Sequence, residues 1–296
     1  MAAQADDARG VGERLGVALQ HLLPKQALTT LMGRLAGAKA GPATTAVIRA
    51  FIARYGVDMA EAADADPAAY PSFNQFFTRA LRPGARPLAA ADWICPVDGA
   101  ISQFGRVEAG RIFQAKGHDY SATALFGGDA GLAAHFHQGH FATLYLSPKD
   151  YHRIHMPRAG LLRRMIHVPG DLFSVNPATA RGVPGLFARN GRVVCVFEDP
   201  ASGAPWVLVM VGATIVGSMA TVWHGLVNPP RPGTLRDWRY DGLPPVRLAQ
   251  GAEMGRFLLG STVVLLFGRA QMAGLQFNPA WAPGGAIRMG GVMAAG

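Results

Sequence analysis

Apolar residues near the start of the chain recur at helical spacing. Leu15, Leu19, Leu22 and Leu23 share one helical face. After Pro24, Leu28, Leu31, Met32 and Leu35 do the same, and a third set follows at Val47, Ile48, Phe51, Ile52 and Tyr55. Arg14, Lys25, Arg34, Lys39, Arg49 and Arg54 lie around these stripes. The pattern predicts a helical region over residues 1–66, built of amphipathic helices with basic flanks. Such helices either pack on the rest of a protein or lie in a lipid interface. The acidic, Ala/Pro-rich stretch at 64–71 reads as a loop, and Phe73, Phe76 and Phe77 as a short helical turn.

From Ile94 onward the texture changes. Short β-branched and aromatic runs recur between Gly and Pro: VVCVF at 193–197, WVLVMVGATIVG at 206–217 and FLLGSTVVLLF at 257–267. Few helical patterns separate them, so repeated βαβ units are not expected. The expected fold is α+β: N-terminal amphipathic helices (1–66) on a β-rich, barrel- or sandwich-like body (67–296). Residues 201–230 contain no Asp, Glu, Lys or Arg, which meets the length test for a membrane span. Gly203, Pro205, Gly212, Gly217 and Gly225 interrupt the stretch, and its valines favour buried strands. The C-terminus reads as a small Ala/Gly-rich tail.

Composition narrows the class. Half of the 296 residues are hydrophobic and 16% are charged, which excludes overall disorder and lets the chain bury a full core. A net charge of +9 favours an anionic partner: a membrane surface, nucleic acid or an acidic substrate. Two cysteines, Cys95 and Cys195, exclude a disulfide scaffold or a Cys-rich zinc site. The opening MAAQADDARG has no apolar core and does not read as a secretory signal.

Several residues invite chemistry. His135, His137, His140, His152 and His155 fall close together, and HFHQGH has spacing that a metal could use. No thiolate is near and no carboxylate appears until Asp150, so surface or core histidines are the expected reading. YHRIHMP at 151–157 carries two histidines three apart, which diverge on a strand and converge only if the segment turns. Asp98 in PVDG reads as a turn aspartate. No serine lies in a G-x-S-x-G elbow, which removes support for an α/β-hydrolase. Leu259-Gly260-Ser261-Thr262 interrupts an apolar run. It reads either as a bulge in a buried strand or as a strained peptide bond beside a hydroxyl.

Taken together, PVDGAISQFG (96–105), FQAKGHDYS (113–121), YLSPKDYHRIHMP (145–157), VPGDLFSVNP (168–177), VGATIVGS (211–218) and LGST (259–262) resemble, in order, the bacterial membrane-associated phosphatidylserine decarboxylases. The resemblance runs from about Leu22 to Phe267. It implies a pyruvoyl enzyme that makes its own cofactor and uses no metal. Asp98, His155 and Ser261 would be the self-processing triad: His155 takes the Ser261 proton, Asp98 orients and charges the imidazole, and Ser261 attacks the Gly260 carbonyl. Ester formation, β-elimination and hydrolysis would leave a large (β) chain, 1–260, and a small (α) chain, 261–296, blocked by pyruvoyl and held together as a heterodimer. The substrate amine would form a Schiff base with the pyruvoyl ketone, and His152, partly protonated near neutral pH, would serve the proton steps.

The same resemblance implies phosphatidylserine and an anionic membrane surface as partners, no nucleic acid, and peripheral attachment to the cytoplasmic side of the cell membrane through residues 11–56. Three alternatives stay open at this point: a decarboxylase of another serine phospholipid, a metal-dependent hydrolase built on His135, His137 and His140, and a non-enzymatic lipid-binding protein.

Overall fold

The structure, a computed structural model, describes residue 20 and residues 24–115, 117–214, 218–227, 233–242, 244–258 and 262–296. The first leucine stripe (Leu15, Leu19, Leu22, Leu23) and Gly260–Ser261 lie outside them. Helices α1 (Lys25–Gly37) and α2 (Pro42–Tyr55) follow the second and third stripes. Pro42 starts α2, where a missing N–H costs nothing. Gly56 ends it at φ 66°, donating its N–H to Ile52 O at 2.8 Å. The short α3 (Phe73–Phe77) is capped by the Ser72 hydroxyl, which accepts from Gln75 N. Ile48 of α2 and Phe76 of α3 share a small core with Val57, against which Phe51 and Tyr70 pack.

The two helices do not bury all of their apolar residues. Leu31 and Leu35 of α1 are 55% and 58% exposed, and Val47 of α2 is 57% exposed. The basic residues Arg34, Lys39, Arg49 and Arg54 are exposed on the same helices and their linker.

The β-rich body contains β1 (Gly99–Arg106), β2 (His140–Tyr145), β3 (Arg153–His155), β4 (Gly160–Val168), β5 (Arg192–Glu198), β6 (Pro205–Val211), β7 (Met219–Thr221), β8 (Gly225–Leu226), β9 (Arg236–Arg239), β10 (Arg247–Leu248), β11 (Glu253–Phe257), β12 (Thr262–Phe267) and β13 (Ala286–Ile287). Among the described residues the main sheet is antiparallel, in the order β9-β4-β5-β6-β12-β2-β1-β13, with β10 also paired to β4. This order is open and closes no barrel. A second sheet has the order β8-β7-β11-β3.

Burial on both faces explains the unbroken apolar runs. Val263, Leu265 and Phe267 face one core with Trp206, Leu208 and Met210; Val264 and Leu266 face the other with Val207 and Val209. Alternate residues therefore serve two cores, and the usual alternation of apolar and polar residues vanishes. The uncharged stretch 201–230 contributes β6, β7 and β8, and no helix among the described residues is long and apolar enough to cross a membrane.

Two expectations change here. FLLGSTVVLLF is not one strand: β11 ends at Phe257 in the second sheet, and β12 begins at Thr262 in the main sheet. The C-terminal residues are not a loose tail either. Val292–Ala295 pairs with Trp93–Ile94, and β13 pairs with the start of β1.

Candidate active site

The main sheet brings distant motifs into one row. Thr262, which follows Ser261, pairs with Tyr145 of β2 and with Val211 of β6. On its other side Tyr145 pairs with Ala100, two residues after Asp98. Gly99 makes this register possible, because a Cβ there would sit 2.2 Å from the Tyr145 carbonyl oxygen. From the second sheet, β3 reaches the same region: the His155 N–H donates to Pro96 O at 2.9 Å, within the PVDG turn. At the other flank of the LGST motif, Phe257 N donates to His152 O and Leu258 N to Ser218 O. Asp98, His152 and His155 thus gather around the two described ends of the segment that carries Gly260 and Ser261.

Their side chains differ from the expected relay. The Asp98 carboxylate accepts two hydrogen bonds from Arg86 Nε, at 3.0 and 3.1 Å, one from Arg86 Nη2 and one from Met289 N at 2.8 Å. His155 Nδ1 lies 2.8 Å from Gly251 O. A carbonyl can only accept, so Nδ1 carries the proton and Nε2 the lone pair. The Tyr151 hydroxyl donates to that lone pair at 3.0 Å. The Gly251 carbonyl, and not Asp98, orients the imidazole. Asp98 acts on it through space, its charge favouring the protonated ring, while burial, the larger effect, keeps His155 below the usual histidine range. A neutral imidazole with a defined basic nitrogen suits a general base.

Arg86 is the residue that motif reading misses. It links Asp98 to Glu61, whose Oε2 lies 2.7 Å from Arg86 Nη2, and Arg288 reaches the other Glu61 oxygen at 3.0 Å. The Arg86 hydrogen bond holds the Glu61 carboxyl below its ordinary range. These partners are 25 and 12 residues from Arg86 in the chain, and no spacing rule connects them.

His152 occupies a different setting. It is fully buried, its ring centroid lies 4.0 Å from that of Phe77, and Nδ1 sits 2.7 Å from Asp150 O. The segment between the two histidines is the strand β3, so their rings take different partners, as an odd spacing on a strand requires. Burial pushes His152 down to about 3. The expectation of a ring partly protonated near neutral pH is therefore corrected: His152 rests neutral, with Nδ1–H given to Asp150 O and a free Nε2 lone pair.

Thr262 Oγ1 and His152 Nε2 are both buried without a hydrogen-bond partner. The unspent hydrogen-bonding capacity of Thr262, which follows residue 261 in the chain, fits a keto-amide group at that position. Among the described residues no group of three or more His, Cys, Asp or Glu side chains could hold a metal ion, and His135, His137 and His140 form no such set. Cys95 and Cys195 are buried free thiols, raised by burial and inert.

Comparison with known proteins adds an independent line. The family model described as phosphatidylserine decarboxylase matches residues 73–295, and a second, described as PSD, matches residues 15–56. A phosphatidylserine decarboxylase proenzyme of Delftia acidovorans is 71% identical over 284 residues, covering 96% of this chain and 98% of that protein. A proenzyme of the same name from Azoarcus sp. is 71% identical, covering 95% of each chain. Another, from Chromobacterium violaceum, is 66% identical, covering 96% of this chain and all of its own length.

Proposed function

The chain belongs to the phosphatidylserine decarboxylase family, and from that premise we propose that it is a proenzyme that cuts itself between Gly260 and Ser261 and then decarboxylates phosphatidylserine to phosphatidylethanolamine. The near full-length match at 71% identity carries the activity. The convergence of Asp98, His152 and His155 on the described flanks of the cut supports the residue roles.

In self-cleavage, His155 Nε2 takes the hydroxyl proton of Ser261. Asp98, fixed by Arg86 and the Met289 N–H, stabilises the imidazolium that forms. The Ser261 oxygen attacks the Gly260 carbonyl carbon, the C–N bond breaks, and the large chain is carried as an ester. Loss of the Cα proton breaks the Cβ–O bond, releasing a Gly260 carboxylate. The dehydroalanine left behind is hydrolysed to pyruvoyl and ammonia.

The pyruvoyl group supplies an electron sink for the electrons that loss of CO2 leaves at the substrate Cα. His152, neutral at rest, accepts a proton from the substrate amine on Nε2 and returns it to Cα. The small chain stays bound after the cut because its strand β12 is buried along its whole length between β6 and β2.

A lipid substrate requires association with a membrane. We place the contact at α1 and α2, on the cytoplasmic side, as a peripheral attachment. The exposed Leu31, Leu35 and Val47 beside exposed basic residues support this reading.

Intact-mass measurement on purified protein tests the proposal. Two chains, 1–260 and a pyruvoyl-blocked 261–296, are expected, with conversion of phosphatidylserine in mixed micelles. Ser261→Ala should give one uncut, inactive chain. An active enzyme that remains a single 296-residue chain overturns it.

A further inference from the structure

Two arginines are buried among the described residues, Arg79 and Arg192. Arg192 is fully engaged: Nε donates to Leu125 O, Nη1 to Asn190 O and Nη2 to Ala124 O, at 2.6 to 2.9 Å. Arg79 is not. Its guanidinium makes one long contact, Nη2 to Lys149 O at 3.3 Å, and its Nε is buried with no partner. Asp98, Asp150 and Tyr151 act on its charge only through space, and no carboxylate pairs with it. A buried cation with idle donors is an incomplete arrangement that an anion would complete.

Its neighbours are those of the active site. The guanidinium lies 5.4 Å from the Phe76 ring, and His152 packs on the adjacent Phe77. Arg79 also acts electrostatically on His152, whose Nε2 is the second buried orphan. Arg153, between the two histidines, donates to Thr78 O at 2.8 Å and ties the segment before Arg79 to β3. Arg79, with a free donor, thus packs on one of two consecutive aromatic residues, and His152, with a free acceptor, packs on the other.

We propose that Arg79 binds the phosphodiester of the substrate head group, with His152 Nε2 facing the head-group amine. The assignment rests on the decarboxylase reading and adds to it the residue that holds the phosphate. The head group offers two anions, and the reaction separates them. A carboxylate fixed on a buried cation would be stabilised in the ground state, although its electrons must leave it. That interaction would oppose CO2 loss. A phosphodiester keeps its charge throughout, so binding it helps without that penalty. The planar guanidinium also matches phosphate geometry and stays charged despite burial.

The test uses cut holoenzyme and a water-soluble short-chain phosphatidylserine, so that membrane docking is not read. Glycerophosphoethanolamine, with the phosphodiester but no carboxylate, and free serine, with the carboxylate but no phosphate, serve as competitors. In Arg79→Gln the KM and the glycerophosphoethanolamine inhibition constant should both rise about 10- to 100-fold, the size of a charge-assisted contact. Inhibition by serine should stay as in the wild type. Arg79→Lys should fall between. Both variants should be cut, because phosphate takes no part in that step. In the wild type, glycerophosphoethanolamine should shift the Arg79 Nε–H resonance.

A fall in kcat at unchanged KM, equal loss of both competitors, uncut variants, or an unmoved Nε–H signal overturns the assignment. Wild-type enzyme that does not decarboxylate the short-chain substrate would instead overturn the decarboxylase reading itself.

Discussion

The Tyr151 hydroxyl lies 3.0 Å from His155 Nε2, while the opposite ring nitrogen is committed to the Gly251 carbonyl. The ring is clamped at both ends, with its basic nitrogen held by a phenol. Burial pushes that phenol up to about 12, so Tyr151 stays a donor across the working pH range. Tyr151→Phe removes the clamp on Nε2 and leaves the Gly251 bond in place. Self-cleavage should slow by about tenfold, a fraction of the ~10²–10⁴ that a general base contributes, whereas His155→Ala should abolish it. Time courses of chain cleavage by mass spectrometry check this. A variant that cleaves at the wild-type rate would show the hydroxyl to be a bystander.

Arg86 is nearly buried between Asp98 and Glu61. Arg86→Met would leave Asp98 with the Met289 N–H and Glu61 with Arg288 but break the buried ion pair, at a cost of about 3 kcal/mol, the low end for such a loss. The denaturant midpoint should fall and cleavage should slow as Asp98 loses its position. Part of this stability depends on pH. Glu61 is held below its unfolded pKa, so its contribution is present above that pKa and fades as pH falls through the lowered folded value. Arg86→Met should flatten this part of the acid limb. Unchanged stability and cleavage would exclude Arg86 from the support of Asp98.

How much of this could be read in the sequence depended on whether the controlling contact was local. Val193 to Phe197 and Trp206 to Val211 are strands as their β-branched runs predict. The α1 and α2 stripes are likewise local signals. FLLGSTVVLLF misleads because strands from two sheets meet in one apolar run, and both are buried whichever sheet they join. The C-terminal residues read as a tail because Val292 and Ala294 pair with Trp93 and Ile94, far away in the chain. Motifs mark Asp98 and His155 as candidates. No motif marks Arg86 or Arg79, because a guanidinium's importance lies in the partner it has or lacks, and sequence spacing does not record that.

Membrane docking should respond separately to charge and to apolar surface. Leu31→Glu combined with Leu35→Glu places charge on an exposed apolar face of α1 and should weaken vesicle binding without lowering the denaturant midpoint, since neither side chain is buried. Replacing Arg34 and Arg49 with Gln should cost roughly 1 kcal/mol of binding each on anionic vesicles and little on neutral ones. Salt should erase the second effect and spare the first. Co-sedimentation measures both. Binding unaffected by either change would move the docking surface away from these helices.

His152 gives the clearest pH dependence. Its folded value, about 3, lies below the ordinary histidine value of 6.5. The unfolded chain therefore binds a proton that the folded one refuses. Stability from this group is fully present above the unfolded pKa and declines as pH falls toward the folded value, with a slope of up to about 1.4 kcal/mol per pH unit. His155, lowered in the same direction, adds to the same limb. A neutral residue at position 152 removes the linkage, so His152→Gln should flatten the stability profile between about pH 6.5 and 3, even if it is less stable at neutral pH. In the proposed mechanism His152 accepts a proton, so this variant should still cut itself but lose most of its decarboxylase activity. Denaturant titrations across this pH range, with mass and activity measured on the same samples, check both statements. An unchanged acid limb would show that His152 is protonated in the folded protein. A fully active variant would remove it from the proton steps at Cα.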